Sequence, residues 1–233
     1  MSHSPAHSLA AHTRENKGLL AAAEKRTLLW IAGRLLPGMH SDHLSAIGLG
    51  AMAAAGLSFA AFQFSPWAVV GVLAALAANW FGDSLDGTLA RVRNQQRPRY
   101  GFYVDHVIDL AGATFLLAGL ACSGLMSPLA AALALAGFLL VSAETYLATH
   151  AAGVFRMSFI GFGPTELRIL IAVGALKAAI DPWVSLGGLG SIRLFDLGAA
   201  IAAAGMAIVF VVSAVRNTLA LSAADPRPVR TGV

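Results

Sequence analysis

Apolar and polar positions in this chain alternate in long blocks. Six apolar runs fall at about His43–Phe62, Trp67–Arg91, Phe102–Cys122, Pro128–His150, Pro164–Ile180 and Leu194–Arg216. Each is near the roughly 20 residues that a helix needs to cross the hydrocarbon core of a bilayer. Connections such as QFSP, SGLMSP and DPWVSLGGLG carry the Pro, Gly and Ser of turns. Ahead of these runs, from about Thr13 to Pro37, Leu28, Leu29, Ile31, Leu35 and Leu36 are interrupted by Lys25, Arg26 and Arg34. That stretch is too charged and too short to span, and it predicts an amphipathic helix lying in the membrane interface. The expected fold is therefore all-α and integral to the membrane: six transmembrane helices preceded by an interfacial amphipathic helix. Residues 1–18 are polar, rich in His and Ser, and without the layout of a secretory signal, which predicts a disordered N-terminus. Residues 19–220 are expected to form one domain and 221–233 a flexible tail.

Composition agrees with that reading. Of 233 residues, 57% are hydrophobic and only 12% charged, against about 25% charged in a soluble domain. The net charge of +4 does not point to nucleic acid, because the basic residues sit in short segments between apolar runs. They also alternate. Lys17, Lys25, Arg26 and Arg34 precede the first run, and Arg91, Arg93, Arg97 and Arg99 follow the second. Arg156 follows the fourth, Arg216, Arg227 and Arg230 end the chain, and Arg193 is the exception. Basic loops face the cytoplasm, so a multi-pass protein is expected with both termini and the 2–3 and 4–5 loops inside, in the cell membrane if the source is bacterial. The single cysteine, Cys122, forms no internal disulfide and reads as a small buried apolar residue.

The chemistry is concentrated in DSLDGTLARVRNQQRPRYGFYVDHVIDL, which begins at Asp83. Positions three, four, seven and eight apart share a helix face, so Asp83, Asp86, Gly87, Ala90 and Arg91 form one stripe. Asp105 and Asp109 form another on the next helix. A short connection makes the two helices antiparallel neighbours, so the stripes can face each other near the cytoplasmic surface. Four carboxylates brought together repel and cannot all stay ionised without a cation. Acids this close to a membrane core mark function by default. Oxygen-only ligands select a hard divalent cation, Mg²⁺ or Mn²⁺, which also binds diphosphate. Gly87, Ala90 and Gly101 remove bulk where a ligand would press on a helix, and Arg91 offers a planar fork for phosphate oxygens. Helix caps and surface ion pairs with Arg91, Arg93, Arg97 and Arg99 are the plainer alternative, but caps do not require four acids in two helical registers.

These residues resemble the signature of the CDP-alcohol phosphotransferases (CDP-alcohol phosphatidyltransferases): D-x2-D-G-x2-A-R, a short spacer, then G-x3-D-x3-D. All eight signature positions are present, and the interfacial helix with six spans extends the likeness over most of the chain. The resemblance implies a transferase of phospholipid synthesis that displaces CMP from a CDP-linked donor by an alcohol hydroxyl, forming a phosphodiester lipid. It implies Asp83, Asp86 and Asp105 as metal ligands, and Asp109 as general base that also touches the second of two metal ions. Gly87, Ala90, Arg91 and Gly101 would accommodate the CDP moiety. Membrane lipids and a CDP-linked donor are the implied partners, and homodimerisation rests on resemblance alone. CDP-diacylglycerol with a small polar acceptor is the expected substrate pair. The Asp105-His106 pair resembles the choline and ethanolamine branch, in which CDP carries the head group and diacylglycerol accepts it.

Further polar residues are candidates on the acceptor or phosphate side. His106 grazes the pocket or points elsewhere, about 100° from Asp105. Glu144, the deepest acid, needs a partner, either an acceptor or a packing hydrogen bond. Arg156 and Arg168 bind a phosphate or snorkel to the interface. Glu166 reads as part of a normal helix start, and the Asp42–Ser45 segment as a cap or, as the family resemblance implies, a polar contact to the donor. Two rivals remain: a membrane prenyltransferase, whose motifs lack the Gly-x2-Ala-Arg spacing, and a metal transporter, which needs polar residues spread along a path.

Overall fold

The computed structural model describes residues 21–152 and 163–226. Among these residues it holds seven α-helices and one small hairpin: α1 (Ala21–Ala32), α2 (Ser41–Ala60), α3 (Ala68–Val92), α4 (Pro98–Cys122), α5 (Pro128–Ala152), α6 (Pro164–Ile180), β1 (Trp183–Ser185), β2 (Ser191–Arg193) and α7 (Leu194–Ala224). The expected interfacial helix and the six apolar runs each correspond to a helix. Arg156, the expected disordered residues 1–18 and residues 227–233 lie outside the described residues.

Among the described residues, five segments are long and apolar enough to cross a membrane, those of α2, α3, α4, α5 and α7. The expected sixth span, α6, has 17 residues, about 25 Å of helix against a hydrocarbon core of about 30 Å. Glu166 and Arg168 near its start and Lys177 near its end explain the shortfall, and Asp181-Pro182 closes it. At the other extreme α7 runs past Arg216 into the region expected to be a flexible tail. The stretch Asn217–Ala224 contains no breaker, and the helix stops where Asp225 precedes a proline. Proline at the first position likewise starts α4 four residues earlier than expected, which places Gly101 inside the helix. Cys122, expected to be buried, is exposed: it ends α4 on an outward face, where apolar character suits lipid.

Close backbone contact brings α2, α3 and α4 together. A methyl group on Gly119 of α4 would fall inside the van der Waals radius of the Gly56 carbonyl on α2. One on Gly82 of α3 would lie 2.6 Å from the Leu44 carbonyl of α2. Glycine at such crossings lets helices approach to backbone contact, the main packing device where lipid removes a hydrophobic drive between helices. Around the Gly56–Gly119 crossing lie Phe59, Val72, Leu76, Leu116 and Leu120, with Phe195 of α7 set edge-on to Phe59 at 5.6 Å. At the other end, Leu28 and Ala32 of α1 pack against Leu44, Leu85 and Leu89. The opposite side of α1 exposes Leu29 and Trp30, as an interfacial helix should. Arg93 at the end of α3 donates to the carbonyls of Leu35, Leu36, Pro37 and Met39 and so fixes the α1–α2 connection.

The segment expected to be a plain turn between α6 and α7 folds as an antiparallel hairpin, with Val184 opposite Ile192. Glycines with positive φ at 187 and 190 make its reversal possible. Its base is latched by Asp181, which accepts from the Trp183 N–H at 3.0 Å and from Lys177 at 2.9 Å. Arg193 lies over the Trp183 ring at 5.5 Å.

Gly119→Ala should lower stability by about 1–3 kcal/mol, the usual range for forced overpacking. Gly205→Ala, where nothing stands within 4 Å of the new methyl, should leave it unchanged or raised; thermal unfolding in detergent checks both. The Trp183 N–H and then Lys177 hold the Asp181 carboxyl below the usual carboxylate range. Its contribution is therefore complete at neutral pH and is lost as pH falls below about 4 and through the lowered value. Trp183 emission, taken as the difference between the parent and Trp183→Phe, should change over that acid range, and Asp181→Asn should show the changed emission already at pH 7.

Candidate active site

The site forms where α3 leaves the crossing with α2. Gly82 sits against α2 backbone, so the next residue, Asp83, is held close to α2 and α4. One carboxylate oxygen from each of Asp83, Asp105 and Asp109 falls in a group whose members all lie within 4.8 Å of one another. Asp83 and Asp105 are half-buried and Asp109 is exposed, so the cluster has a closed side and an open one. Three anionic oxygens at that spacing, with no nitrogen or sulfur donor, fit a hard divalent cation.

Asp86, expected as the fourth ligand, is turned toward α2. Its Oδ2 accepts from Ser45 Oγ at 2.7 Å, its Oδ1 accepts from the Gly87 N–H, and its carbonyl accepts from Ser41 Oγ at 3.0 Å. Two serines one turn apart thus grip this turn of α3. Arg91 lies over Gly87, its guanidinium 3.4 Å from where a methyl would stand, and it donates to Thr88 Oγ1 at 3.1 Å. A methyl on Gly101 would meet nothing within 4 Å, so that face of α4 is open.

Arg168 approaches Asp83 from α6. It ion-pairs with the Asp83 carboxylate, donates from Nε to Asn79 Oδ1 at 2.7 Å, and leaves a buried Nη1 with no hydrogen-bond partner among the described residues. Asn79 is itself anchored, Nδ2 to the Gly48 carbonyl at 2.9 Å. Asn79 is absent from the sequence-based candidates, and Ser45 enters them only as the end of the α2 cap segment. Each nevertheless carries a readable signal: Asn79 is a lone amide one helical turn before Asp83 in an apolar run, and Ser45 lies one turn after Ser41.

The other candidates separate. His106 hydrogen-bonds the Phe102 carbonyl at 2.7 Å, lies 3.9 Å from Asp105, and packs between the Phe102 ring at 4.1 Å and the Tyr146 ring at 5.0 Å. Glu144 lies apart from the aspartates: Ser213 and Asn217 of α7 each donate to it at 2.7 Å, beside a cleft of about 190 Å³ between α5 and α7. Glu166 accepts from the Gly163 N–H at 3.0 Å, the helix start expected of it. The α2 cap falls within the expected Asp42–Ser45 segment, at His43. There the His40 N–H donates to His43 Nδ1 at 3.2 Å, while Asp42 pairs with Arg97 from the α3–α4 connection. That pair borders an open cleft of about 420 Å³ lined by His40, Ser41, Gln95 and Gln96.

Membrane-length helices with a triad of carboxylates beside Arg168 fit metal-assisted transfer of phosphate-linked groups. The profile of the CDP-alcohol phosphatidyltransferase family matches residues 45–215, and the chain belongs to that family. It is accordingly a membrane transferase of phospholipid synthesis, which sets aside the prenyltransferase and transporter readings. The fold is similar to that of a phosphatidylinositol phosphate synthase from Mycobacterium tuberculosis, solved with CDP-DAG bound. That likeness covers 88% of this chain and 100% of the other, with a TM-score of 0.58 and 22% identity. No curated protein matches the chain.

Asp105→Asn should weaken Mn²⁺ binding by on the order of a hundredfold, since loss even of residues that only support a metal ligand costs about 10–100-fold. Glu144→Gln should leave it unchanged. Calorimetric titration of the detergent-solubilised protein measures both.

Proposed function

We propose that this protein transfers a phosphatidyl group from CDP-diacylglycerol to the hydroxyl of a small polar alcohol and releases CMP. The observation that carries the proposal is the convergence of Asp83, Asp105 and Asp109 within 4.8 Å in a chain of this family. The relative that holds CDP-DAG on a similar fold supports the choice of donor.

In this reading Asp83, Asp105 and Asp109 hold divalent cations, two Mg²⁺ or Mn²⁺ ions, with Asp86 joining from its place beside Ser45. Once bound, the ions offset the charge of the diphosphate and favour departure of CMP. The remaining work falls to side chains. Arg91, folded over Gly87, receives a phosphate oxygen, and the bare faces at Gly87, Ala90 and Gly101 leave room for the nucleotide. The cleft of about 420 Å³ between the start of α2 and the α3–α4 connection takes the cytidine. Asp109, the exposed member of the cluster, accepts the proton of the incoming hydroxyl. That oxygen bonds to the phosphatidyl phosphorus as the bond from phosphorus to the CMP oxygen breaks. The Nη1 of Arg168 faces an anionic oxygen of donor or acceptor, a task Arg156 shares, and His106 orients the acceptor. The alternating basic loops support a cytoplasmic side for the site and both termini, where CMP and the alcohol are soluble. The short α6 completes six spans, and the working unit is a homodimer.

Purified protein with Mn²⁺ and CDP-diacylglycerol should release CMP when a panel of alcohols is supplied. Asp109→Asn should lower that rate by about 10²–10⁴-fold, the usual contribution of a general base. CMP release only from CDP-choline or CDP-ethanolamine with diacylglycerol would reverse the places of lipid and head group. No CMP from any donor would overturn the proposal.

A further inference from the structure

Glu24 sits in the first turn of α1 and is the single acid of that helix. Its Oε1 accepts from Trp80 Nε1 at 2.9 Å and Ser84 Oγ at 3.3 Å, both on α3, and from Thr165 Oγ1 at 2.6 Å, on α6. Trp80 and Ser84 are one helical turn apart, so they share a stripe of α3. Asn79 and Asp83 occupy the neighbouring stripe by the same spacing. On α6, Thr165 and Arg168 are three apart and also share a face. Helix α6 therefore meets α3 at two adjacent points on one pair of faces. Thr165 is bridged to α3 through Glu24, and Arg168 bonds directly to Asn79 and Asp83. Ala175 and Ala178 anchor the later turns of α6 in the core. The bridge through Glu24 adds a tie at the start of the helix, one turn from Arg168.

We propose that Glu24 is a positioning residue for the transfer reaction, setting through Thr165 and α6 the orientation in which Arg168 holds Asp83. The proposal rests on the reading of Asp83 as part of the catalytic metal site. An anion suits this position, since the oxygen accepts three donors at once and charged acceptors make the stronger hydrogen bonds. A shallow interfacial helix thereby gains a say in geometry at the aspartates without touching substrate.

The test compares Glu24→Ala, Glu24→Gln and Thr165→Val in the full-length protein. Glu24→Ala should weaken Mn²⁺ binding, read by calorimetry without substrate, by about 3–10-fold, at or below the low end of losses from residues that support a metal ligand. The Mn²⁺ concentration for half-maximal CMP release should rise by the same factor. Glu24→Gln keeps an accepting oxygen and should stay within about twofold of the parent. Thr165→Val, which cuts only the tie to α6, should reproduce the loss, and it carries the test if Glu24→Ala does not fold. In an Arg168→Ala background the Glu24→Ala change should add nothing further, because its route is gone. Unaltered Mn²⁺ affinity in Glu24→Ala or Thr165→Val would overturn the proposal. So would a loss that persists undiminished when Arg168 is absent. Should the parent release no CMP from any donor, the functional reading fails, while the calorimetric comparison still decides the role of Glu24.

Discussion

How close three helices can come decides what this protein can hold. Gly48 and Gly82 let α2 and α3 touch at the backbone, and Gly56 and Gly119 do the same for α2 and α4. Asp83 is the residue after one of these contacts, so the distance between the acids of α3 and those of α4 follows from the absence of side chains elsewhere. Side chains at either crossing would wedge the helices apart, and three carboxylates could no longer share a sphere of a few ångströms. In lipid, where apolar surfaces gain little by meeting each other, such contact is also what holds the bundle together. Packing and chemistry are here set by the same glycines.

Bringing the acids together creates an electrostatic debt, and the surrounding residues divide it. Asp83 is matched by Arg168, and Asp86 is satisfied by Ser45 and the Gly87 N–H. The Asp105–Asp109 side stays more open. The cluster is thus braced on the α2 and α6 sides, with Asp109 its exposed member. Preorganisation of this kind holds the ligands near their working geometry before substrate arrives.

Much of this was legible in the sequence because its signals are periodic. Apolar runs near 20 residues long and acids at spacings of three and four fix helix identity and face without any knowledge of packing. The pairing of Asp83 with Asp105 and Asp109 followed from one short connection. What stayed hidden depends on partners remote in sequence. The turn of Asp86 toward α2 needs Ser45, 41 positions away, and Glu24 acquires its meaning from Thr165, 141 positions away. Glu144 announced the need for a partner but not that α7 supplies it. The hairpin at Trp183–Arg193 was obscured because its turn residues outweigh two strands of three residues each.

The unequal lengths of α6 and α7 have a bearing on the bilayer itself. With 31 residues, α7 measures about 46 Å, and with 17 residues α6 measures about 25 Å. A hydrocarbon layer of about 30 Å is overrun by one and not filled by the other. Lipid beside α7 would have to let that helix tilt or protrude. Were α6 to span as proposed, the bilayer beside it would thin, or Arg168 and Lys177 would snorkel to the interface. A thinned annulus there would border the helix that carries Arg168, and would draw the headgroup of a lipid on that flank toward the aspartates.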